Sequence, residues 1–482
     1  MSSLERRSRF EQSDDVVVMK FGGTSVEDAA AIRRLITIVG SRSHAQPVLV
    51  VSALACVTDQ LLEAGKAAAA GRLGAALAIV RDLYVRHESL ADELLEGARS
   101  AELDRALREE VQALESLLHL LDASREFDPR VQDHLLAFGE RLSSKLVAAA
   151  LHEAGVDSVH VDASQCLITD ARHGQASPLW DLTNQRLQDA IAPLLEERKV
   201  PVLGGFIAST ADGVPTTLGR GGSDFSAAII AAALGAARVE IWTDVDGVMT
   251  TDPKLCPEAR VIRKMSFDEA AELAHFGAKV LHPATIAPAM RENIPVHVLN
   301  SRRPDGEGTE ITARARSSNG VSGITAKRSV AAVEVEPAAG INSDVLGSVY
   351  AAFDQHSCPV DVMGTSLGRL SMLVGSTAAL PRIAAELQGV ANLRWENHKA
   401  LVCLVGENLR RQPDVASRVF AAVSDLDARV ICQGASDRTI SFLVEESKME
   451  ESVRRLHRVF FPTPREVAPD WGGISTAFCQ AG

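Results

Sequence analysis

The segment GGFIASTADGVPTTLGRGGSDFSAAIIAA, residues 204–232, contains a strand, a glycine turn and a helix start in close succession. Residues 202–207 are apolar with β-branched ends, which predicts a strand, and the Ala-rich run after Asp224 predicts a helix. Three glycines surround Arg220, so the backbone can approach an anion closely while the guanidinium binds a carboxylate or phosphate with two hydrogen bonds. Ser223 and Asp224 are typical N-cap residues, which would direct free N–H groups and the helix dipole to the same place. The segment therefore predicts an anion-binding site at a helix start.

The composition is that of a globular protein with more than one domain. The chain has 482 residues, of which 46% are hydrophobic, and its formal net charge is −13. This length predicts two or three domains, and an acidic chain without a basic run argues against nucleic-acid binding. Seven scattered cysteines without a C-x-x-C pair indicate neither a zinc site nor a disulfide framework. We expect no metal site built by the protein alone, no membrane segment and a cytoplasmic location.

The first predicted strand leads into a second candidate anion site. Residues 16–19 are apolar throughout, and Lys20, Gly22 and Gly23 follow before a predicted helix. A strand, a glycine turn with a lysine and a helix start together form a phosphate cradle. A βα turn with an incidental lysine is the alternative.

Polar side chains at two further places suit the same edge of a sheet. Ser52 and Thr58 follow the second predicted strand, and open α/β sheets bind ligands at that edge, although simple helix capping is the alternative. Glu140 lies in a predicted helix over residues 131–153, beside a mid-helix Gly139 that suggests close approach of backbone or ligand. Its carboxylate suits an ammonium group, and an exposed surface charge is the alternative.

The strand predicted over residues 238–243 runs into WTDVDGVMTTDP, residues 242–253, where acids and hydroxyls gather. Such groups suit a ribose, an adenine amine or a metal-bound phosphate, and an acidic surface turn is the alternative. Lys279 is a second candidate cation.

The polar segment 301–319 marks the best domain boundary. Beyond it the predicted elements follow the order βαββα twice, which is typical of small ferredoxin-like modules. The predicted division is a disordered N-terminus over 1–15, an α/β domain over 16–300, a linker over 301–319, a first module over 320–395, a second module over 396–461 and a loose tail over 462–482.

Six motifs distributed over the chain form a specific combination. They are KFGGTS (20–25), SALACVT (52–58), FGERLSS (138–144), GFIAST with TTLGRGGSD (205–224), WTDVDGVMTTDP (242–253) and FGAKVLHPAT (276–285). Together they resemble aspartate kinases (aspartokinases), and the paired modules are similar to the tandem ACT domains of the monofunctional, lysine-sensitive type. The resemblance implies a three-layer α/β amino-acid-kinase fold with a mainly parallel central sheet, followed by two βαββαβ ACT domains. It also implies that the strand over 321–326 joins the second ACT domain.

The resemblance implies phosphorylation of the β-carboxylate of L-aspartate to 4-phospho-L-aspartate, with ATP and Mg²⁺ as cofactors. This is the first step of lysine, threonine and methionine biosynthesis. Lys20 would neutralise the transferring phosphoryl group, Asp224 would orient Lys20, Glu140 would bind the α-ammonium and Arg220 a carboxylate. Met249 stands where many relatives carry Tyr, so contacts to adenine would differ. The other implied residues are Ser52, Thr58, Phe206 and Ser223 for aspartate, and Gly22, Gly23, Thr243, Asp244, Met249, Lys254 and Lys279 for the nucleotide.

The resemblance further implies feedback inhibition by an amino acid at the first ACT domain and a homodimer or tetramer joined through these domains. Helix-start amides would take the effector carboxylate and Asp361 its ammonium. Lysine is favoured, but Arg369 would repel a lysine side chain, so threonine stays open. The implied effector residues are Asn342, Asp344, Val345, Leu346, Asp361, Thr365 and Ser366.

Three other functions stay open at this point. They are a kinase of glutamate or N-acetylglutamate, a non-catalytic amino-acid sensor, and the catalytic part of a larger bifunctional polypeptide. An unblocked ammonium needs a carboxylate partner, so Glu140 favours aspartate over N-acetylglutamate. The joint presence of Lys20, Arg220, Asp224 and Lys279 argues against an inactive sensor.

Overall fold

Two compact units make up the chain, and each is organised around its own sheet. A computed structural model describes residues 13–42, 44–278, 281, 283–315, 320–338, 340–366, 368–433 and 436–462. The predicted tail beyond residue 462 and residues 1–12 of the predicted N-terminal segment lie outside this range. The first unit holds the described residues of Met1–Val248, Val261–His275 and Lys279–Arg316, and the second those of Met249–Arg260, Phe276–Ala278 and Ser317–Gly482.

A mainly parallel sheet forms the centre of the first unit. Eight strands lie in the order β3–β5–β2–β1–β8–β10–β11–β9, and neighbours from β3 to β10 run parallel, whereas β10 and β11 are antiparallel. The strands β4, β6 and β7 form a small separate sheet. The ranges are β1 (Ser13–Phe21), β2 (Gln46–Val51), β3 (Ser158–Val161), β4 (Ile168–Thr169), β5 (Val200–Gly204), β6 (Ile207–Thr210), β7 (Pro215–Thr217), β8 (Ala236–Thr243), β9 (Lys264–Ser266), β10 (Val296–Asn300) and β11 (Thr309–Thr312).

Helices connect these strands as in a parallel α/β fold. Their ranges are α1 (Ala29–Gly40), α2 (Val57–Ala69), α3 (Leu73–Leu94), α4 (Gly97–Ser124), α5 (Pro129–Glu153), α6 (Ala163–Cys166), α7 (Trp180–Glu196), α8 (Gly222–Leu234), α9 (Phe267–His275) and α10 (Pro283–Arg291).

Both faces of the central sheet are buried. Met19 and Phe21 of β1 belong to one apolar cluster with residues of α1 to α5. The alternate residues Val16 and Val18 are equally buried, and α8 contacts β1. A strand buried on both faces reads as a continuous apolar run, which is why β1 shows no alternation. The α/β fold with a mainly parallel central sheet is confirmed.

Two boundaries differ from the sequence prediction at the central segment. The strand predicted over 202–207 ends at Gly204, because Phe206 adopts a positive φ of 66° and separates β5 from β6. Helix α8 begins at Gly222, and its N-cap is Gly221 in the left-handed conformation. Ser223 and Asp224 therefore lie in the first turn of the helix instead of at its cap.

The described residues of the second unit form a six-stranded antiparallel sheet in the order β13–β14–β12–β15–β17–β16. Its strands are β12 (Val321–Pro337), β13 (Val360–Ser366), β14 (Arg369–Val374), β15 (Ala391–Gly406), β16 (Arg429–Gln433) and β17 (Thr439–Glu445). Its helices are α11 (Ser343–Gln355), α12 (Leu380–Glu386), α13 (Pro413–Val423) and α14 (Met449–Phe460).

The two central strands of this sheet, β12 and β15, each serve two motifs. The first motif has the chain order βαββαβ, from β12 through α11, β13, β14 and α12 to β15. The second runs βαββα from β15 to α14 and takes its remaining strand from the first half of β12, so the expected βαββαβ order is not followed there. Residues 321–327 of β12 pair with residues 401–406 of β15, whereas residues 330–337 pair with residues 391–399. The pairing shifts register between the two halves, where Ser329 has a positive φ of 55°. Each motif therefore completes its sheet with half of a strand that it shares with the other motif.

In the described part of the chain, no helix is both long enough and apolar enough to span a membrane. The segment predicted as a linker over 301–319 contains β11, which pairs with β10 and β9.

The helical part of the first unit buries a histidine in an apolar interior. His87 of α3 is fully buried, and its Nδ1–H donates to the Leu83 carbonyl at 2.7 Å, while Nε2 has no hydrogen-bond partner among the described residues. Burial lowers the pKa of His87 to about 4, and the Arg86 charge adds to the shift while the Leu83 bond opposes it.

We expect His87 to make the protein sensitive to acid. Between pH 6.5 and 4 the unfolded chain binds a proton that the folded chain excludes, so stability falls as pH drops through this window. The difference corresponds to about 3 kcal/mol at 1.36 kcal/mol per pKa unit. His87→Leu should lose less of its free energy of unfolding between pH 7 and 4 than the wild type, as measured by urea denaturation. His119→Leu, an exposed change on α4, is the control, and equal losses in the wild type and His87→Leu would contradict the prediction.

Candidate functional site

A cavity of about 410 Å³ opens where the neighbouring parallel strands β1, β2 and β5 end. Lys20 lies near the end of β1, Ser52 directly follows β2, and Phe206 follows β5. Parallel strands place their carboxyl ends at one edge, so residues far apart in sequence converge here. Nine of the predicted site residues line this cavity: Lys20, Gly23, Ser52, Thr58, Glu140, Phe206, Arg220, Ser223 and Asp224.

Lys20 and Asp224 form an ion pair in the lining of the cavity, with 2.7 Å between Nζ and Oδ1. Their side chains are only 12% and 15% exposed, so water screens the pair less than a surface pair. Asp224 lies in the first turn of α8, where the helix dipole favours negative charge. The ion pair thus keeps the Lys20 ammonium beside the start of α8.

Arg220 occupies the tip of a tight turn at the rim of the cavity. The Gly222 N–H donates to the Gly219 carbonyl at 2.9 Å, and Gly221 has a positive φ of 71°, which fits the third position of a type II turn. A Cβ atom on Gly221 would also approach Thr285 Cγ2 to 2.8 Å. The turn therefore requires glycine beside Arg220 and presents an exposed guanidinium.

Glu140 places a carboxyl group in the interior wall of the cavity. It lies on α5, is 4% exposed, and packs against Gly204, where a Cβ atom would come within 3.1 Å of it. Burial raises its pKa to about 8, although the Ala53 N–H donates to the carboxyl group and opposes the shift. Oε2 has no hydrogen-bond partner among the described residues. A buried carboxyl group with an unused oxygen is suited to a cationic ligand.

Close backbone contacts hold the walls of the cavity together. A Cβ atom on Gly205 would lie 2.7 Å from Ser223 Cβ, so only glycine fits there. Ser52 Oγ donates to Ser223 Oγ at 3.0 Å, and Ser143 of α5 donates to the Ser52 carbonyl at 2.9 Å. The Phe206 N–H donates to Ser226 Oγ at 2.9 Å, which holds its left-handed backbone.

Other predicted site residues lie outside the lining of this cavity. Thr243 ends β8, beside β1, and its hydroxyl donates to Asp244 at 3.2 Å, while the Gly22 N–H donates to the Trp242 carbonyl. Two more, Met249 and Lys254, lie in Met249–Arg260, which packs within the second unit. Lys279 lies outside the described residues.

Sequence reasoning missed part of the lining. Cys56 contributes to the wall with a positive φ of 70° at the start of α2, and Asp59 lines it from the first turn of that helix. A cysteine in the left-handed region has no recognisable sequence signal, because that conformation is typical of Gly and Asn. Asp59 follows the predicted motif by one residue and gave no signal of its own.

In the described part of the chain, no group of three or more His, Cys, Asp or Glu side chains is placed to hold a metal ion. An Mg²⁺ ion that arrives with a nucleotide needs only one or two protein carboxylates, because phosphates and water supply the other ligands. Asp59 and Asp224 are carboxylates in the lining of the cavity that would supply such ligands.

Comparison with known proteins shows the family to which the chain belongs. The model of the amino acid kinase family matches residues 15–300, and an ACT domain model matches residues 402–460. The lysine-sensitive aspartokinase 3 of Escherichia coli is 33% identical over 93% of this chain and 99% of its own length. The chain belongs to the aspartokinases, within the amino acid kinase family.

Further aspartokinases support this assignment. The chloroplastic aspartokinase 2 of Arabidopsis thaliana is 32% identical over 92% of this chain and 84% of its own length. The crystal structure of Escherichia coli aspartokinase III in complex with aspartate and ADP superimposes with a TM-score of 0.80 at 31% identity, covering 93% of this chain and all of that one. The complex of the same protein with lysine and aspartate gives 0.78 at 32% identity, over the same shares of both chains. Because the relatives include chloroplast proteins, the cytoplasmic location stays a prediction.

The raised pKa of Glu140 has a consequence for the stability of this aspartokinase. Between pH 4.5 and 8 the folded chain keeps a proton on Glu140 that the unfolded chain has lost, so the residue lowers stability progressively as pH rises. pH 7 lies 2.5 units above the ordinary pKa of 4.5. At 1.36 kcal/mol per unit, the free energy of unfolding is therefore lowered by about 3 kcal/mol at pH 7. Glu140→Gln, which is always neutral, should be more stable than the wild type at pH 7 by roughly this amount, and the gap should close near pH 4.5.

Urea denaturation across this pH range measures the effect, with the exposed Glu109→Gln on α4 as a matched control. A Glu140→Gln variant with the same pH dependence as the wild type would show that the carboxyl group is ionised in the folded protein.

Proposed function

We propose that the chain transfers the γ-phosphoryl group of MgATP to the β-carboxylate of L-aspartate, giving 4-phospho-L-aspartate, the first step of lysine, threonine and methionine biosynthesis. The observation that carries the proposal is the pairing of opposite recognition groups in one cavity. Glu140 offers a buried carboxyl group, whereas Lys20 and Arg220 offer cations. A zwitterionic amino acid with a second carboxylate complements this set. The Escherichia coli relative was crystallised with aspartate and ADP.

The substrate end of the cavity is assigned to Glu140, Arg220 and the hydroxyl groups. An α-ammonium would supply the cation that the Glu140 carboxyl group lacks, and its arrival would release the proton held at neutral pH. Arg220 would bind a carboxylate in the bidentate geometry that guanidinium favours. Ser52, Thr58, Phe206 and Ser223 would complete the aspartate pocket.

The phosphoryl end is assigned to Lys20, Asp224 and the glycine amides. The nucleophile is a carboxylate with a pKa near 4, so it needs no general base at neutral pH. The remaining task is to position two anions and to stabilise charge on the transferring group, which suits the Lys20 ammonium and the helix start at α8. Asp224 holds Lys20 in place. Residues Gly22, Gly23, Thr243, Asp244, Met249, Lys254 and Lys279 are proposed for the nucleotide.

A kinase of N-acetylglutamate is the second candidate that the amino acid kinase fold allows. An acetylated nitrogen is uncharged and would leave the buried Glu140 carboxyl group without its cation. Glutamate keeps the ammonium but is one methylene longer. The cavity therefore favours a free amino acid, and substrate length is left for the assay to decide.

We expect turnover with ATP and aspartate, and at most weak turnover with glutamate or N-acetylglutamate. Lys20→Met should lower turnover by about 10² to 10³-fold, because it removes a charge that stabilises the transition state. The exposed Lys66→Met on α2 is the matched control and should keep wild-type turnover. A coupled ADP-release assay with the three acceptors measures both effects. Faster turnover of N-acetylglutamate, or an active Lys20→Met enzyme, would overturn the assignment.

We assign residues 320–395 and 396–461 to two ACT domains that follow a catalytic domain. This domain begins at Ser13 instead of the predicted residue 16, because β1 starts there and Ser13 pairs with Ala236 of β8. The two motifs that share β12 and β15 and the ACT match over 402–460 support this division. Residues 321–326 are assigned to the second ACT domain because they pair with its half of β15. Because β11 pairs with β10, we extend the catalytic domain from residue 300 to Thr312 and shorten the linker accordingly.

We further propose that the first ACT domain binds an amino-acid effector, lysine or threonine. Asn342 caps α11 by accepting from the Val345 N–H at 2.9 Å, which leaves other helix-start amides to bind a carboxylate. Asp361 on β13 would take the ammonium. Arg369, which would repel lysine, is 2.8 Å from Glu336, so its charge is partly neutralised. The other proposed effector residues are Asp344, Leu346, Thr365 and Ser366.

An internal lysine already binds the carboxylate assigned to the effector. Lys327 Nζ lies 2.6 and 2.8 Å from the two Asp361 oxygens, and the Asp361 side chain is only 10% exposed. Lys327 precedes the register shift that separates the two halves of β12. An effector ammonium therefore competes with Lys327 and, when it wins, frees a side chain at the junction of the two motifs.

We expect Lys327→Met to bind the effector about tenfold more tightly than the wild type, because the competing cation is gone. Calorimetric titration with lysine and with threonine measures the affinity, alongside inhibition of turnover at millimolar effector. Arg328→Met removes the adjacent surface cation that pairs with Glu450, and it should leave the affinity unchanged.

Equal affinity in Lys327→Met and the wild type would contradict the competition, and binding that survives Asp361→Ala would place the effector elsewhere. No heat and no inhibition from either amino acid would leave the domain purely structural. The edge strand β13 supports assembly into a homodimer or tetramer, and a monomeric mass by light scattering in the same buffer would refute it.

A further inference from the structure

We propose that Asp133 is a positioning residue for the reaction: it fixes the turn that carries Arg220 relative to Glu140, so that one helix sets both ends of the amino-acid site. The inference rests on the proposed function for its kinetic consequences, whereas its structural part is independent of the substrate. The sequence motifs did not include Asp133, and it does not line the cavity.

Asp133 is a carboxylate buried to 1% exposure near the start of α5. It accepts hydrogen bonds from three residues of other segments. These donors are the Thr217 hydroxyl at 2.5 Å, the Gly174 N–H at 2.9 Å and His173 Nδ1–H at 2.9 Å. A buried carboxylate is stable only when such donors surround it, so the two loops that supply them are held against the helix.

Both loops adjoin the turn that carries Arg220. Thr217 ends β7 and precedes Leu218 and Gly219, the start of the tight turn. The loop at Gly174 packs closely against the same turn, because a Cβ atom on Gly219 would lie 2.8 Å from the Gly174 carbonyl oxygen. The Ala176 N–H also donates to the Thr217 carbonyl at 3.0 Å, which joins the two loops to each other. Asp133 is therefore the common acceptor beneath the turn.

The spacing on α5 connects this anchor to the substrate carboxylate. Asp133 and Glu140 are seven residues apart, which is two helical turns, or about 10.5 Å along the axis. Residues at this spacing project from the same face of a helix. Both are buried, and Gly204 admits Glu140 on the sheet side. The distance between the ammonium-binding and carboxylate-binding groups thus depends on one rigid element.

Asp133→Asn tests this role with little change in shape. Its amide NH₂ faces donors where the wild type has an acceptor, so the loops lose part of their support. We expect KM for aspartate to rise by about 10 to 100-fold, as a misplaced binding group causes, while KM for ATP stays within about threefold. Thr217→Val should show a smaller shift in the same direction, and Thr217→Ser, which keeps the hydroxyl, should restore the wild-type value.

Asp128→Ala is the matched control for general damage to α5. Asp128 caps the same helix by accepting from the Val131 N–H at 2.8 Å, and among the described residues its side chain makes no hydrogen bond to either loop. Its loss should lower the unfolding midpoint without the selective rise in KM for aspartate. An equal rise in Asp128→Ala, or an equal rise in both KM values in Asp133→Asn, would reduce Asp133 to a structural role.

Hydrogen exchange supplies a readout that needs no substrate. The amides of Gly174 and of residues 218–222 should exchange faster in Asp133→Asn and Thr217→Val than in the wild type, whereas the amides of β1 should not change. Unchanged exchange at these amides would overturn the proposal even if turnover fell. If the wild type does not phosphorylate aspartate, the proposed function fails, and the exchange data still decide the role of Asp133. If Asp133→Asn does not fold, the same measurements on Thr217→Val decide the question.

Discussion

Burial of the Glu140 carboxyl group in the wall of the cavity is the constraint on which the first unit depends. Such a group is costly without a cationic partner, and the rise of its pKa to about 8 expresses that cost. The surrounding structure accommodates it by omitting side chains: Gly204 leaves space for Glu140, and a Cβ atom on Gly139 would lie 2.9 Å from Ala53 Cβ. A bound ammonium group would therefore reduce the free-energy cost of keeping the Glu140 carboxyl group buried.

The second unit is built on two strands that its two motifs share. Because β12 and β15 each belong to two motifs, the hydrogen bonds of one motif continue into the other through the same backbone. The register shift in this pairing lies at the junction of the two motifs. Lys327 lies at that position and pairs with Asp361 of the outer strand β13. The proposed effector would compete with Lys327 for this carboxylate.

The sequence predicted the fold more completely than it predicted the local conformation of the site. The apolar runs of β1 and β2 and the glycine turns indicated a parallel sheet with ligand groups at one edge, and the α/β fold was confirmed. Local conformation was less accessible: Phe206 interrupts a predicted strand with a positive φ, and Gly221 replaces Ser223 as the helix cap. These choices follow from close contacts with distant segments, such as that of Gly221 with Thr285, which no local pattern records.

The sequence by itself determined the main strands and helices of the α/β domain, the family of the chain and the chemical types of the groups at the strand ends, because periodicity and glycine turns are local properties. It did not indicate β11, which lies in the predicted linker. The tertiary structure alone decided which of those groups meet. It paired Lys20 with Asp224, enclosed Glu140 away from water, and placed Asp133 beneath the Arg220 turn. It also gave Asp361 an internal lysine as its partner. The physical reason is that burial, and therefore pKa and hydrogen-bond competition, depends on segments that approach one another only after the sheets have formed.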